Sequence, residues 1–313
     1  MVVKRSAPGK VILCGEHSVV YGRPAVAVPV SALRAYAEVK AGASNQGLII
    51  HAVDLDQTVT LRESSKNHPL IKTAQAVLTH LNLSEPDATI TLKSNLPIAS
   101  GMGSGAAVTV AIARALSAYL GSELPEETIS AMTYEIEKIH HGTPSGIDNT
   151  VITWEKPVYF IKEQPPEIFD IQQPFHLLIA NSGIPSSTRE AVNEVRRQWA
   201  SAPEFYNLVF DCMGAIARAA RVATEKGGDQ VLGTLLNENH KLLTKIGVSL
   251  PELDQLIYAA LEAGALGAKL TGSGQGGNII ALVEPETRTR VQHALLEAGA
   301  IKIWHTQVGG RDE

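Results

Sequence analysis

The sequence Gly-Met-Gly-Ser-Gly-Ala-Ala occupies residues 101–107, between a predicted strand at 89–93 and a predicted helix at 106–120. The unpaired N–H groups and the positive dipole end at a helix start favour a bound phosphate. Glycines let a phosphate approach the backbone because they have no Cβ atom. Ser104 adds a hydroxyl for a phosphate or a metal ion. The segment therefore predicts a phosphate-binding loop, with a glycine-rich turn that binds nothing as the alternative.

Other phosphate-binding patterns fit this segment less well. A P-loop requires a lysine followed by serine or threonine after its last glycine, and the sequence has none there. Gly101, Gly103 and Ala106 do match the dinucleotide-binding pattern. That fold needs a strand ending in an acidic residue roughly 20 positions later, where this sequence predicts a turn and another helix. An NAD-dependent oxidoreductase is therefore an alternative supported by the glycines alone.

A second glycine-rich segment, Thr-Gly-Ser-Gly-Gln-Gly-Gly at 271–277, precedes a predicted strand at 278–284. Because no helix follows, the segment is interpreted as a loop between strands. Its backbone could approach a ligand closely, and a plain turn is an equally good interpretation.

The composition indicates a two-domain enzyme with a small ligand. The chain has 313 residues, is 44% hydrophobic and carries a formal charge of -5. This charge disfavours nucleic acid and anionic membranes, since binding a polyanion requires a cationic surface. Cys14 and Cys212 form no CxxC pair, which predicts a reducing, cytoplasmic location. No segment approaches the length of a membrane span.

The hydrophobic periodicity predicts strands gathered with helices behind them, which indicates the α+β class. A polar, proline-rich run at 163–167 predicts a boundary between domains 1–165 and 166–313. The predicted strands are 10–14, 25–30, 34–40, 48–53, 58–62, 89–93, 151–154, 158–161, 175–181, 268–271, 278–284 and 301–306. The predicted helices are 68–81, 106–120, 125–140, 187–199, 204–225, 230–245, 251–263 and 286–298.

Three ionisable residues have the chemistry of phosphoryl transfer. This reaction uses a carboxylate near the attacking hydroxyl, a magnesium ion and a cation that offsets phosphate charge. Asp148 follows Pro-Ser-Gly, which predicts that it lies on an exposed loop. Glu137 lies about 120° from the apolar stripe of its helix, so it is either solvated or directed at a metal. Lys10 lies at the start of the first strand. The structural alternatives are a turn aspartate and a snorkelling lysine.

Taken together, three segments resemble the ordered motifs of the GHMP kinases. They are Pro8-Gly9-Lys10 with Gly15-Glu16-His17, the loop at 101–107, and Lys269-Leu270 with the loop at 271–277. The resemblance implies ATP as a substrate, an N-terminal domain like domain 2 of ribosomal protein S5, and a ferredoxin-like C-terminal domain.

Two further segments resemble the family members that phosphorylate mevalonate: residues 137–149, with the core His141-Gly142-x-Pro144-Ser145-Gly146-x-Asp148-Asn149, and Asn181-x-x-x-Pro185-x-x-Thr188-Arg189. The resemblance implies Asp148 as the catalytic base and Glu137 as an Mg²⁺ ligand. It implies that Lys10 polarises the substrate hydroxyl and the γ-phosphate. It assigns substrate binding to Glu16, His17, Thr188 and Lys10, and ATP binding to Gly101, Met102, Gly103, Ser104, Gly105 and Ala106.

The sequence departs from the family pattern at Gly105, where a magnesium-binding serine is usual. Ser104 is the remaining hydroxyl in this loop and is the second predicted metal ligand. The departure leaves open a nucleotide sensor without catalytic activity. A kinase for another small alcohol is the enzymatic alternative, such as phosphomevalonate kinase or mevalonate 3-kinase. The resemblance also implies a homodimer.

Overall fold

The computed structural model describes residues 2–62, 68–97, 100–141 and 144–309, without the side chains of His140 and His141. The chain divides into two compact units. The first comprises residues within 1–9, 33–96 and 103–155, and the second comprises residues within 10–32, 97–102 and 156–313. The sequential domain boundary after residue 165 stays a prediction.

The first unit combines a sheet with four helices. Its strands are β1 (Val2–Cys14), β2 (Ala25–Ala41), β3 (Leu48–Ala52), β4 (Gln57–Thr60) and β5 (Ala88–Ser94), and β1 and β2 continue along the chain into the second unit. The order is β4-β3-β5-β2, and β1 pairs with β2. Strands β3 and β5 are parallel, and the β3–β4 and β5–β2 pairs are antiparallel. The helices are α1 (Pro69–Leu81), α2 (Ser104–Tyr119), α3 (Glu126–His141) and α4 (Ile147–Trp154).

Helix α2 is the central helix of the first unit. It contacts α1, α3 and α4. Its small residues explain how three neighbours can approach, because alanine side chains at 106, 107, 111, 113 and 115 are all fully buried. The glycine loop therefore leads into a helix that packs against three others.

The elements that lie wholly in the second unit include β6 (Val158–Phe160), β7 (Glu167–Ile168), β8 (Phe175–Asn181), α5 (Thr188–Ser201), α6 (Pro203–Lys226), α7 (Asp229–Lys245), α8 (Pro251–Glu262), β9 (Gly267–Thr271), β10 (Asn278–Val283), α9 (Arg288–Glu297) and β11 (Lys302–Val308). Four of these strands form an antiparallel sheet in the order β11-β8-β10-β9. Alternate strand residues, such as Leu178 and Ile279, pack with Phe210 and Leu256 of the helices in one apolar core. Short 3-10 helices occupy Ser18–Tyr21 and Val53–Leu55.

The α+β class is confirmed, and most predicted elements lie within a few residues of the observed ones. The predicted strand at 151–154 is wrong, because these residues form the end of α4. Their β-branched side chains favour a strand locally, but burial of Ile147 and Val151 one helical turn apart favours the helix. The predicted strands at 25–30 and 34–40 are one strand, β2. In the described part of the chain, no helix combines the length and the apolar character needed to cross a membrane.

Candidate functional site

In the first unit, the glycine loop leads into the start of helix α2. Gly103 is the N-cap residue, with φ 71° and ψ 32°, a left-handed conformation that glycine adopts without strain. The first helical hydrogen bond joins the Ala107 N–H to the Gly103 carbonyl at 2.9 Å. Helix α5 differs, because the hydroxyl of its N-cap Ser187 accepts a hydrogen bond from the Glu190 N–H. The α2 N-cap has no side chain for this role, as expected where a ligand binds the helix N-terminus.

Glu137 of α3 is directed towards the first turn of α2. Its side chain is 4% exposed, so the solvated alternative is wrong. A Cβ atom added to Gly105 would lie 3.1 Å from Glu137 Oε1. A larger residue at position 105 would therefore meet this carboxylate. The sequence pattern alone left the direction of Glu137 open, and the packing of α3 against α2 decides it.

The donor chemistry of this cluster fits magnesium. Mg²⁺ usually binds one or two carboxylates, with phosphate oxygens and water as the other ligands. Glu137 supplies a carboxylate near the α2 first turn, and Ser104 supplies a hydroxyl in that turn. Within the described residues, no group of three or more His, Cys, Asp or Glu could hold a metal ion. The cluster therefore suits an ion that binds together with a phosphate ligand.

Asp148 lies in the first turn of α4, so the predicted loop position is wrong. Gly146 is the N-cap residue, and its φ of 95° turns the chain into the helix. The Asn149 side chain donates a hydrogen bond to the Ser130 hydroxyl of α3 at 2.8 Å. The helix with the candidate base is thus joined to the helix with the candidate metal ligand. Gly142 and Thr143 of the predicted motif lie outside the described residues.

In the second unit, Lys10 contacts the first part of the glycine loop. Its side chain is 4% exposed, so the snorkelling interpretation is wrong. Lys10 Nζ donates to the Gly101 carbonyl at 2.9 Å, and the Lys10 N–H donates to the Met102 carbonyl at 3.1 Å. Met102 is buried and anchors this end of the loop. The predicted catalytic lysine and two of the predicted ATP-binding residues are thus neighbours.

His17 contacts the second glycine loop. Its Nε2 lies 2.9 Å from the Ser273 carbonyl oxygen, and because a carbonyl only accepts, Nε2 carries the proton. Burial lowers the pKa of His17 to about 4, so the ring is neutral at pH 7. Ser273 Oγ lies 3.0 Å from Ser186 Oγ and 3.4 Å from Thr188 Oγ1. Two predicted substrate residues, His17 and Thr188, therefore meet at Ser273.

Glu16 belongs to a fully buried polar network. Its carboxylate forms an ion pair with Lys269 and accepts a hydrogen bond from Asn239 Nδ2 at 3.1 Å. Burial raises the pKa of Glu16, and Lys269 and Asn239 act against this rise. No role was predicted for Lys269 or Asn239, although Lys269 lies just before the second glycine loop. Substrate binding by Glu16 stays a prediction, and the ion pair gives Glu16 a structural role as well.

The second loop itself is enclosed by backbone from its own unit. A Cβ atom added to Gly274 would lie 2.2 Å from the Val248 carbonyl oxygen, and one added to Gly276 would lie 2.6 Å from the Ile184 carbonyl oxygen. The hydroxyl of Thr271, the first residue of this segment, accepts a hydrogen bond from the Ile12 N–H and donates one to the Ile12 carbonyl. The second loop is thus a packed connection that brings Ser273 to His17.

Family models match both halves of the chain. The model described as the GHMP kinases N terminal domain matches residues 69–155, and the model described as GHMP kinases C terminal matches residues 220–301. A Thermococcus sibiricus protein named mevalonate kinase is 36% identical, over 97% of this chain and 95% of that protein. The chain belongs to the GHMP kinases. The predicted GHMP two-domain fold is thereby confirmed.

Solved structures of GHMP kinases resemble the chain over its whole length. The mevalonate kinase of L. major, solved in complex with R-mevalonate, has a TM-score of 0.85 and 31% identity, covering 99% of this chain and 97% of that one. The mevalonate kinase of Methanococcus jannaschii has a TM-score of 0.87 and 25% identity, covering 99% of both chains.

Proposed function

We propose that this chain is a mevalonate kinase, which transfers the γ-phosphoryl group of ATP to the 5-hydroxyl of mevalonate in the mevalonate pathway of isoprenoid biosynthesis. The observation that carries this proposal is full-length similarity to proteins named mevalonate kinase. The side chains of Lys10, Glu137 and Asp148 support it, because each has the chemistry of one part of phosphoryl transfer. ATP follows from family membership.

In the proposed mechanism, Asp148 accepts the proton of the attacking hydroxyl. A carboxylate orients this hydroxyl and takes its proton as the new O–P bond forms and the bond to ADP breaks. Lys10 offsets negative charge on the hydroxyl oxygen and the transferred phosphoryl group. Backbone N–H groups of residues 101–106 hold the phosphates at the start of α2.

Glu137 and Ser104 are the proposed residues for holding Mg²⁺. The bound ion would neutralise negative charge on the β- and γ-phosphates. The carboxylate of Glu137 is fixed beside the first turn of α2, where Gly105 supplies no hydroxyl. We therefore expect this chain to hold the ion with fewer protein oxygens than the family pattern, with a serine at this position, would supply.

His17, Thr188 and Glu16 are the proposed substrate residues. His17 Nε2 donates to the Ser273 carbonyl, so its Nδ1 is an acceptor. The ring therefore suits a substrate hydroxyl rather than a substrate carboxylate. The Thr188 hydroxyl, near Ser273 Oγ, can donate to either group.

A substrate panel tests the proposal. Purified protein is incubated with Mg-ATP and mevalonate, phosphomevalonate, homoserine or galactose, and ADP release is measured. We expect turnover with mevalonate, and phosphorus NMR should show a 5-phosphate. A 3-phosphate, or turnover with phosphomevalonate instead, would support the alternative kinases. ATP binding without turnover on any alcohol would support the nucleotide sensor.

We also propose that the chain forms a homodimer through helix α6. One face of this helix carries exposed apolar residues spaced alternately three and four positions apart, the seam pattern of paired helices. They are Phe205, Leu208, Cys212, Ala215, Ala219 and Val222. The stripe has large side chains towards both ends, Phe205 and Leu208 at one and Val222 at the other, and the small residues Cys212, Ala215 and Ala219 between them, which suits antiparallel pairing with a second copy.

Light scattering coupled to size-exclusion chromatography tests the dimer. We expect a dimer for the wild type and a monomer for Leu208→Arg, because a charge in the seam would be buried without a partner. Tyr258→Arg is the matched control, since Tyr258 is equally exposed but lies on α8. A monomeric wild type, or loss of the dimer in the control alone, would contradict this interface. A cytoplasmic location stays a proposal that rests on the cysteine pattern.

A further inference from the structure

Helix α4, which carries Asp148, ends in an unusual way. Glu155 follows its last residue with φ 53° and ψ 32°, the left-handed conformation. This conformation costs a residue with a Cβ atom roughly 1 to 2 kcal/mol, and glycine adopts it freely. A glutamate at this position is therefore strained, and other contacts must hold it there.

Two arginines hold the Glu155 carboxylate. Arg34 Nη2 donates to Oε2 at 2.8 Å, and Arg114 Nη1 donates to Oε1 at 2.5 Å. Arg114 also donates to the Thr153 carbonyl, in the last turn of α4, and to the Ser6 carbonyl. The Arg34 Nε donates to the Ser6 hydroxyl at 2.9 Å. One guanidinium thus binds both the residue that ends α4 and a carbonyl of its last turn.

Arg114 belongs to α2, the helix that begins at the glycine loop. The network therefore joins the C-terminal end of α4 to α2, while the Asn149–Ser130 bond joins its N-terminal end to α3. About 10 Å of helix separate Asp148 from Glu155 at 1.5 Å per residue. Because a helix of this length is stiff, fixing Glu155 restricts both sliding and rotation of Asp148.

The energetics indicate that the network supplies geometry more than stability. The Arg34 and Arg114 side chains are 18% exposed, and that of Glu155 is 31% exposed. Partly exposed ion pairs contribute little to stability after side-chain ordering and screening. Part of the small stabilisation by these ion pairs also offsets the backbone strain at Glu155. The Glu155 carboxylate, however, accepts one charge-assisted hydrogen bond at each oxygen, from two different guanidinium groups, and these two bonds together fix its direction.

We propose that Arg114 and Glu155 are positioning residues, which hold Asp148 in register with the first turn of α2. The proposal rests on the proposed function, in which Asp148 is the base. A small misplacement of a reacting group lowers turnover strongly even when ligands still bind. The effect should therefore fall on kcat rather than on the KM for ATP.

Glu155→Gly and Arg114→Met test this proposal. Glu155→Gly removes the carboxylate and the left-handed strain together, so we expect an unfolding free energy near that of the wild type. We expect kcat to fall between about 10- and 100-fold, with little change in the KM for ATP. The kcat of the double variant should fall no further than the kcat of the more impaired single variant, since the two residues act as one contact.

Arg62→Met is the matched control, because it breaks the 2.9 Å ion pair of Arg62 with Glu85 in the same unit. Its kcat should stay unchanged. Hydrogen exchange should speed up in α4 for Glu155→Gly and not for Arg62→Met. Unchanged kcat in Glu155→Gly beside an active wild type would overturn the positioning role alone. A parallel loss of kcat and stability in all three single variants would also overturn it, and an inactive wild type would overturn the proposed function as well.

Discussion

The two glycine loops of this chain look alike in sequence and differ in what surrounds them. Residues 101–105 lead into helix α2, and residues 272–277 lead into strand β10. Among the described residues outside α2, a Cβ atom at Gly105 would meet the end of the Glu137 side chain, 3.1 Å away. One at Gly274 would lie 2.2 Å from a backbone carbonyl of the same unit. The added atom thus meets the end of a side chain in the first loop and backbone in the second.

This difference shows that one glycine pattern has two physical causes. In the second loop, glycine is needed because folded backbone occupies the place of a side chain. In the first loop, glycine at position 103 allows the turn, and the missing side chains leave helix N–H groups accessible to an anion. The first loop is therefore the proposed phosphate site, and the second loop is the proposed support for His17 and Thr188.

Adding one methyl group to the second loop should have the largest effect on stability. We expect Gly274→Ala to lower the free energy of unfolding by about 3 kcal/mol or more, since it combines left-handed strain with a backbone clash. Gly22→Ala is the matched control, because Gly22 has a similar φ of 79° and no atom of the described residues lies within 4 Å of the added Cβ. In Gly22→Ala, backbone strain alone should lower the free energy of unfolding by about 1 kcal/mol. If urea unfolding shows that Gly274→Ala and Gly22→Ala lose equal free energies of unfolding, the tight packing of the second loop is contradicted.

Acid should weaken the contact between His17 and the second loop. The pKa of His17 is lowered to about 4 from 6.5, so the unfolded chain binds its proton more readily. Stability from the neutral ring is complete above pH 6.5 and is lost as the pH falls towards 4, by up to about 3 kcal/mol. The free energy of unfolding, measured at several pH values, should depend less steeply on pH in this range for His17→Gln than for the wild type. Equal slopes would refute the buried neutral ring.

Restoring a hydroxyl to the first loop should have the smallest effect. In Gly105→Ser the new side chain would lie beside Glu137, where it could bind the same metal ion. We expect the Mg²⁺ concentration for half-maximal activity to fall a few-fold, roughly 1 kcal/mol in binding. Gly105→Ala adds the Cβ atom without the hydroxyl and should leave this value unchanged or raise it. The same fall in both variants would point to helix propensity instead.

The sequence predicted the fold well because its local signals agree with the observed packing. Helices α6 and α7 and strand β8 have the expected periodicity and lie within one residue of prediction. The prediction failed at residues 151–154, where β-branched residues favour a strand. There the burial of Ile147 and Val151 and the contacts of Arg114 stabilise a helix. The secondary structure of residues 151–154 depends on contacts between residues distant in sequence, and a local sequence pattern does not predict such contacts.

The same limit applies to the candidate site. The residues at the glycine loop, Lys10 and Asp148 could be named from motifs because their spacing is characteristic. The burial of Glu137 depends on how α3 packs against α2, which periodicity left open. Arg114 and Glu155 gave no signal in the sequence, since each looks like an ordinary surface charge. The pairing of Glu16 with Lys269 joins residues 253 positions apart, beyond any local pattern.

The Asp148→Ala variant tests whether the chain phosphorylates mevalonate with Asp148 as the base. Turnover of Mg-ATP with mevalonate and equilibrium binding of ATP are measured on the variant and the wild type. We expect kcat to fall by about 10² to 10⁴-fold, while the ATP dissociation constant changes less than about threefold. Turnover close to that of the wild type, or no turnover in the wild type, would contradict it.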